Sequence, residues 1–122
     1  MIPPTKITLS KNKKLLTVTF EDNDFELSSE YLRVYSPSAE VRGHGPGQET
    51  LQLNKKDVTI NSLVPMGNYA IAIHFSDGHN TGIYSWNYLK HLGNDQEKLW
   101  KDYCDSVESH NRKNQNYHKV SI

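Results

Sequence analysis

The sequence predicts an α+β domain: a mostly antiparallel sheet laid down as a meander of hairpins, with a short helix and a C-terminal amphipathic helix packed on it. Three observations predict this. Apolar residues alternate with polar ones early in the chain (Ile7, Leu9; Leu16, Val18, Phe20; Phe25, Leu27), the period-two pattern of half-buried strands. Asp77-Gly78 lies between two β-rich runs, a strong hairpin signal. Leu99, Trp100, Tyr103, Cys104 and Val107 recur at helical spacing, as an amphipathic helix on a sheet requires.

Taken in order, Thr5 to Ser10 and Lys13 to Glu21 form a first hairpin about the polar turn Ser10-Lys11-Asn12-Lys13. Glu21-Asp22-Asn23-Asp24 then turns the chain into a short third strand at Phe25 and Leu27. Ser28 or Ser29 caps a brief helical turn over Glu30 to Val34, because a serine oxygen accepts the orphan N–H groups of a first turn. Ser36 to Gln48 reads SPSAEVRGHGPGQ, and its glycines and prolines predict a loop with unusual backbone angles. Ordered loops longer than about 12 residues are disproportionately functional.

Strands at Asp57 to Leu63 and Asn68 to Ser76 follow, joined through Val64-Pro65-Met66-Gly67. If Asp77 and Gly78 form a two-residue type I′ turn, Ser76 faces His79, Phe75 faces Asn80 and His74 faces Thr81. Tyr69, Ile71, Ile73 and Phe75 then share one face, and Ala70, Ala72, His74 and Ser76 share the other with His79, Thr81 and Ile83. Both faces carry apolar residues, so the sheet is expected to be covered on both sides, with the alanines leaving room for a helix. After a strand at Asn80 to Tyr84, a helix over Ser85 to Leu92 stops at Gly93, and Asn94-Asp95-Gln96-Glu97 opens another to about His110 with Cys104 in the core. A single domain over residues 1–110 is expected, and residues 111–122, with Arg112, Lys113 and Lys119, read as a disordered basic tail.

Composition narrows function. The 122 residues hold 14 Lys+Arg and 14 Asp+Glu, which removes the electrostatic reason to expect nucleic acid or an anionic membrane as partner. Leu, Ile, Val and Phe make up 28 residues, about 23% of the chain, above the ~20% below which disorder is the default. No run reaches the ~18 apolar residues of a membrane span, and the N-terminus lacks a signal peptide's layout. Cys104 is the sole cysteine, so no internal disulfide forms and a reducing, cytoplasmic setting is expected. There is no H-x-D/E iron motif, phosphate-binding G-x-x-x-x-G-K-S/T, G-x-S-x-G elbow, H-E-x-x-H or paired C-x-x-C. A self-sufficient enzyme is therefore not expected.

EYLRVYSPSAEVRGHGPGQ (Glu30 to Gln48), GNYA (Gly67 to Ala70) and FSDGHNTGIYSWNYL (Phe75 to Leu89) closely resemble the gamma-butyrobetaine hydroxylase-like N-terminal domain family. The likeness spans nearly everything before the tail. It implies a small stand-alone bacterial protein of unknown function, or a module like those on carnitine-pathway 2-oxoglutarate oxygenases or iron-sulfur scaffold ATPases. In the hydroxylase branch three cysteines and a histidine in a D-x-H turn form a structural zinc site. Here the cysteine positions fall on Ser36, Ser38 and Val41, and His79 alone survives as a ligand type. Zinc takes four sulfur, imidazole or carboxylate donors, so the resemblance implies a lost site.

Two surfaces compete for function. Arg33, Ser36, Ser38, Glu40, Arg42 and His44 in and beside the loop, with Asp77 and His79 from the turn, form a candidate surface for an anion or a protein partner, which the resemblance implies to be of oxygenase- or iron-sulfur-related kind. The bland alternative has Arg33 and Arg42 pairing with Glu30 and Glu40 to hold the loop's shape. His79 with His74, diagonal on the predicted sheet face, or with His44, forms a candidate zinc or iron site; its alternative is hydrogen bonding in a half-buried layer. No cofactor is expected on the leading reading, a non-catalytic binding or accessory module.

Overall fold

The structure, a computed structural model, describes residues 2–43, 45 and 47–120, the last of these as backbone alone from residue 114. In order the chain forms β1 (Lys6–Leu9), β2 (Leu15–Thr19), β3 (Asp24–Ser28), α1 (Ser29–Val34), α2 (Ala39–Arg42), β4 (Ile60–Met66), β5 (Ala70–Phe75), β6 (Gly82–Ser85), α3 (Trp86–Asn94) and α4 (Gln96–Val120). The strands make two antiparallel three-stranded meanders, β1-β2-β3 and β4-β5-β6. The predicted α+β class holds, with the meander divided in two. Ile60 N–H to the Lys13 carbonyl (2.9 Å) ties β4 to the first sheet's β1–β2 turn, and the Ser29 hydroxyl donates to the Val58 carbonyl (2.6 Å) just before β4.

Leu16, Val18 and Leu27 from the first sheet meet Ile60, Ile73, Phe75 and Tyr84 from the second in one buried core, which Leu32 of α1 and Leu89 and Leu92 of α3 close. Ser28 and Ser85 cap α1 and α3, their hydroxyls accepting from the Tyr31 and Tyr88 N–H groups. Tyrosines bind the layers at both ends of the ring. The Tyr31 hydroxyl donates to the Leu92 carbonyl (2.7 Å), that of Tyr84 to Leu32 (2.5 Å) and that of Tyr35 to Leu99 (2.6 Å). Buried hydroxyls need such partners, and among the described residues no buried side-chain polar atom lacks one.

Several expectations are corrected. The turn after β5 is a three-residue loop: Gly78 N–H bonds the Phe75 carbonyl and Phe75 N–H bonds the His79 carbonyl. Gly78 has positive φ and Asp77 does not, the type I turn with a glycine bulge and not type I′. The predicted register survives beyond the bulge, with Ile73 opposite Gly82 and Ala72 opposite Ile83. Pro65 lies inside β4, opposite Ile71; β4 is an edge strand, where a missing donor is tolerated. The outer face is not covered as expected. Val64 and Ile83, 39% and 44% exposed, flank Ala72 and themselves shield it.

Gly93 sits within α3, where its missing side chain admits the Phe25 ring, 2.4 Å from where a Cβ would stand; close packing, and not a helix stop, explains it. Cys104 is exposed, because the half-buried stripe of α4 runs through Leu99, Trp100, Tyr103 and Val107 and passes beside it. α4 continues to Val120, so residues 111–120 of the expected disordered tail are helical; residues 121–122 lie outside the described residues. No glycine or proline interrupts this stretch, and Glu108 bridges Arg112 one turn on.

Candidate functional site

The loop after α1 folds back onto the β5–β6 turn, and six of the eight predicted surface residues meet there in one polar network. Arg33, 7% exposed, donates from Nε to Asp77 Oδ2 (2.9 Å) and from Nη1 to Gln52 Oε1 (3.0 Å). Lys55 Nζ reaches the same Asp77 oxygen at 2.9 Å, while Asp77 Oδ1 accepts the His79 N–H at 3.2 Å. Burial pushes the Asp77 carboxyl up, but the bonds from Lys55, the His79 backbone and Arg33 outweigh it and hold it down to about 2. One carboxylate thus pins three chain segments.

Ser36 Oγ lies 2.7 Å from His79 Nε2, and Glu40 Oε2 lies 3.3 Å from His79 Nδ1. Ser38 Oγ meets the Thr81 hydroxyl at 2.7 Å and caps α2 by accepting the Glu40 N–H. Burial, followed by the nearby Arg33 charge, lowers the His79 pKa below its ordinary value despite Glu40 and Asp77. His79 is therefore neutral at pH 7, and a neutral ring has one donor and one acceptor nitrogen. Gly82 makes the contact sterically feasible, since a Cβ there would stand 2.6 Å from Ser36 Oγ.

Serine, histidine and glutamate so linked share the connectivity of a hydrolase triad. The nucleophile's position rules out that use. Ser36 is 1% exposed and its Oγ faces the Gly82 backbone, so no substrate carbonyl approaches it along a line of attack. The arrangement instead clamps the loop to the hairpin.

Metal chemistry fares no better. His74 and His79 do not form the predicted diagonal pair: the bulge at Gly78 brings His79 onto the Phe75 face, its ring 6.1 Å from that of Phe75, and His74 alternates to the other face. His44 lies outside the described residues. Among the described residues no three His, Cys, Asp or Glu side chains are grouped to hold an ion. The four positions that the family resemblance marks for zinc present two neutral hydroxyls, a valine and one imidazole already bonded to Ser36, a donor set that does not fit the ion.

Arg42 turns away from the network. Its guanidinium lies 4.9 Å from the Tyr88 ring centroid, a cation–π distance, and no carboxylate bridges it among the described residues. It stands over a groove of about 860 Å³ walled by residues 41–43, 45 and 49–52 on one side and by α3 and α4 on the other, with Tyr35, Tyr88, His91, Asp102 and Tyr103 lining it. Tyr88 and Tyr103 donate to the Tyr35 and Gln52 carbonyls (both 2.6 Å), fixing floor and wall. Gly43, at the rim, has φ of 72° and a Cβ there would meet the Gln48 carbonyl at 2.2 Å, so only glycine fits. Sequence reasoning placed Tyr103 on the sheet-facing stripe of the last helix and missed the groove; its signal is the hydroxyl on each of these tyrosines, which a purely apolar role does not need.

Comparison with known proteins now bears on these observations. The family model described as gamma-butyrobetaine hydroxylase-like, N-terminal, matches residues 7–90. Two NMR solution structures are similar at 42% and 40% identity, with TM-scores of 0.77 and 0.79; each is matched over 91% of this chain and over 83% and 88% of its own. A crystal structure of a protein with unknown function of the DUF971 family, from Acidithiobacillus ferrooxidans ATCC 23270, is 35% identical with a TM-score of 0.62 over 74% of this chain and 91% of that one. No curated protein matches.

Proposed function

The chain belongs to the gamma-butyrobetaine hydroxylase-like N-terminal family, and from that membership we propose that it is a non-catalytic binding or accessory module working in the cytoplasm on a protein partner. The observation that carries this reading is a guanidinium, unbridged among the described residues, held over a groove lined by tyrosines. Pockets with few convergent polar groups on a fixed scaffold are the usual form of a recognition site. The partner would be of the oxygenase- or iron-sulfur-related kind that the resemblance implies, with Arg42 engaging an acidic group on it and the Ser36–His79 clamp holding the wall in place. No described helix is long and apolar enough to cross a membrane.

Pull-down from a lysate of the native cell tests this. The wild-type chain is expected to recover a specific protein and Arg42→Glu to lose it, with the melting temperature within about 2 °C of wild type, as for an exposed substitution. Equal recovery by both forms would sink the reading. Because hydroxyls and not thiolates occupy the loop, exposure to a strong chelator is expected to leave the melting curve unchanged; a drop would reinstate the metal.

A further inference from the structure

The chain's zero net charge hides a segregation. At one end of the first sheet the β1–β2 turn exposes Lys11, Lys13 and Lys14, and backbone bonding of Ile60 to Lys13 holds the turn that carries Lys56 beside it. At the opposite end the β2–β3 turn exposes Glu21 and the start of β3 exposes Asp24, with Glu26 exposed midway along β3. None of these seven groups has a salt bridge among the described residues, whereas Asp22 at the acidic end is bridged to Lys90. Between the two ends runs β1, bonded on one side alone. Ser10 N–H bonds the Leu15 carbonyl, and antiparallel alternation then turns the Ile7 and Leu9 backbone groups outward. No described group bonds them.

We propose that this edge is the contact surface for a second copy of the chain. Two β1 strands running antiparallel, with Ile7 of each copy opposite Leu9 of the other, join the sheets across a two-fold axis. Because the lysine turn follows β1 and the acidic turn lies beside its start, the same operation brings each copy's basic end to the other's acidic end. The pairing is isologous and closes on itself, so it yields a dimer and not a filament. A second copy is favoured over any other acidic partner because both complementary surfaces are in hand. Duplex nucleic acid is disfavoured because Glu30 and Asp57 sit among the lysines. β1 is short and begins with Lys6, features that blunt an edge. Exposed ion pairs are also weak individually. The dimer is therefore a weak one, assembled by the field of the two ends.

Sedimentation of the full chain tests this independently of the groove. Where the Debye length is about 30 Å, near 0.01 M salt, the mass is expected to rise with concentration from 14.0 kDa toward twice that value. Above about 0.15 M, where it falls to about 8 Å, the chain should be monomeric. A variant with Lys11→Glu, Lys14→Glu and Lys56→Glu, and another with Glu21→Lys, Asp24→Lys and Glu26→Lys, should each stay monomeric at low salt and associate on mixing, which also shows both are folded. A wild-type chain that stays at 14.0 kDa in low salt, association that persists in high salt, or association of either variant alone would overturn the proposal.

Discussion

Replacing Arg33 with methionine is expected to remove about 2–3 kcal/mol of stability, somewhat less than the ~3–5 kcal/mol for breaking one partner out of a fully buried ion pair. The methionine refills the space of the aliphatic stem, so the loss comes from the charge. Asp77 then keeps Lys55 and its backbone contact, and Gln52 loses its side-chain partner. Asp77 is 22% exposed in its side chain, so water recovers part of the lost interaction and the effect stays below the full buried-pair figure. For a domain of this size the shift in melting temperature is about 8–12 °C. A double-mutant cycle with Asp77→Asn should return a coupling of more than ~1 kcal/mol; a coupling near zero would show that the two side chains merely sit side by side. Amide exchange in residues 48–53 should also quicken, because Gln52 links the groove wall to the network.

The strands, their pairing order and the serine cap of α1 were legible because each is written in local chemistry: period two, turn residues and a hydroxyl at the cap. What escaped was decided by packing. Gly93 carries the same letter whether it stops a helix or admits the Phe25 ring, and the difference lies in a residue far away in sequence. Asp77-Gly78 suits both a type I′ turn and a type I turn with a bulge, and one added residue moved His79 to the face opposite His74. Of the predicted surface, Arg33, Ser36, Ser38, Glu40, Asp77 and His79 do converge, yet four of them are buried and spend their polar atoms on one another. Composition marks a polar cluster without saying whether it faces a ligand or the chain itself. The groove escaped because its walls come from α3, α4 and residues 41–43, 45 and 49–52, a juxtaposition no local pattern encodes.

Acidification is expected to destabilise the protein in two stages, and the sign follows from which state binds more protons. Folded His79 has a pKa below 6.5. Below that pH the unfolded chain takes up a proton that the folded one refuses, and stability falls from its full value above 6.5 until the folded ring itself is protonated. Asp77 acts lower. Its folded carboxyl titrates near 2 against an ordinary 3.8, so about 2 kcal/mol present above 3.8 is lost as pH falls toward 2. Urea denaturation from about pH 8 to about pH 3 should show both limbs. His79→Asn should flatten the upper limb and Asp77→Asn the lower, each at the cost of a lower plateau. The two limbs discriminate between physical pictures of the clamp. If the ion pair with Glu40 dominated the ring, the folded pKa would exceed 6.5 and stability would rise as pH falls through that value. A rise between about pH 7 and pH 5 would therefore show His79 charged in place, and the loop held by a salt bridge and not by a neutral hydrogen-bonded ring.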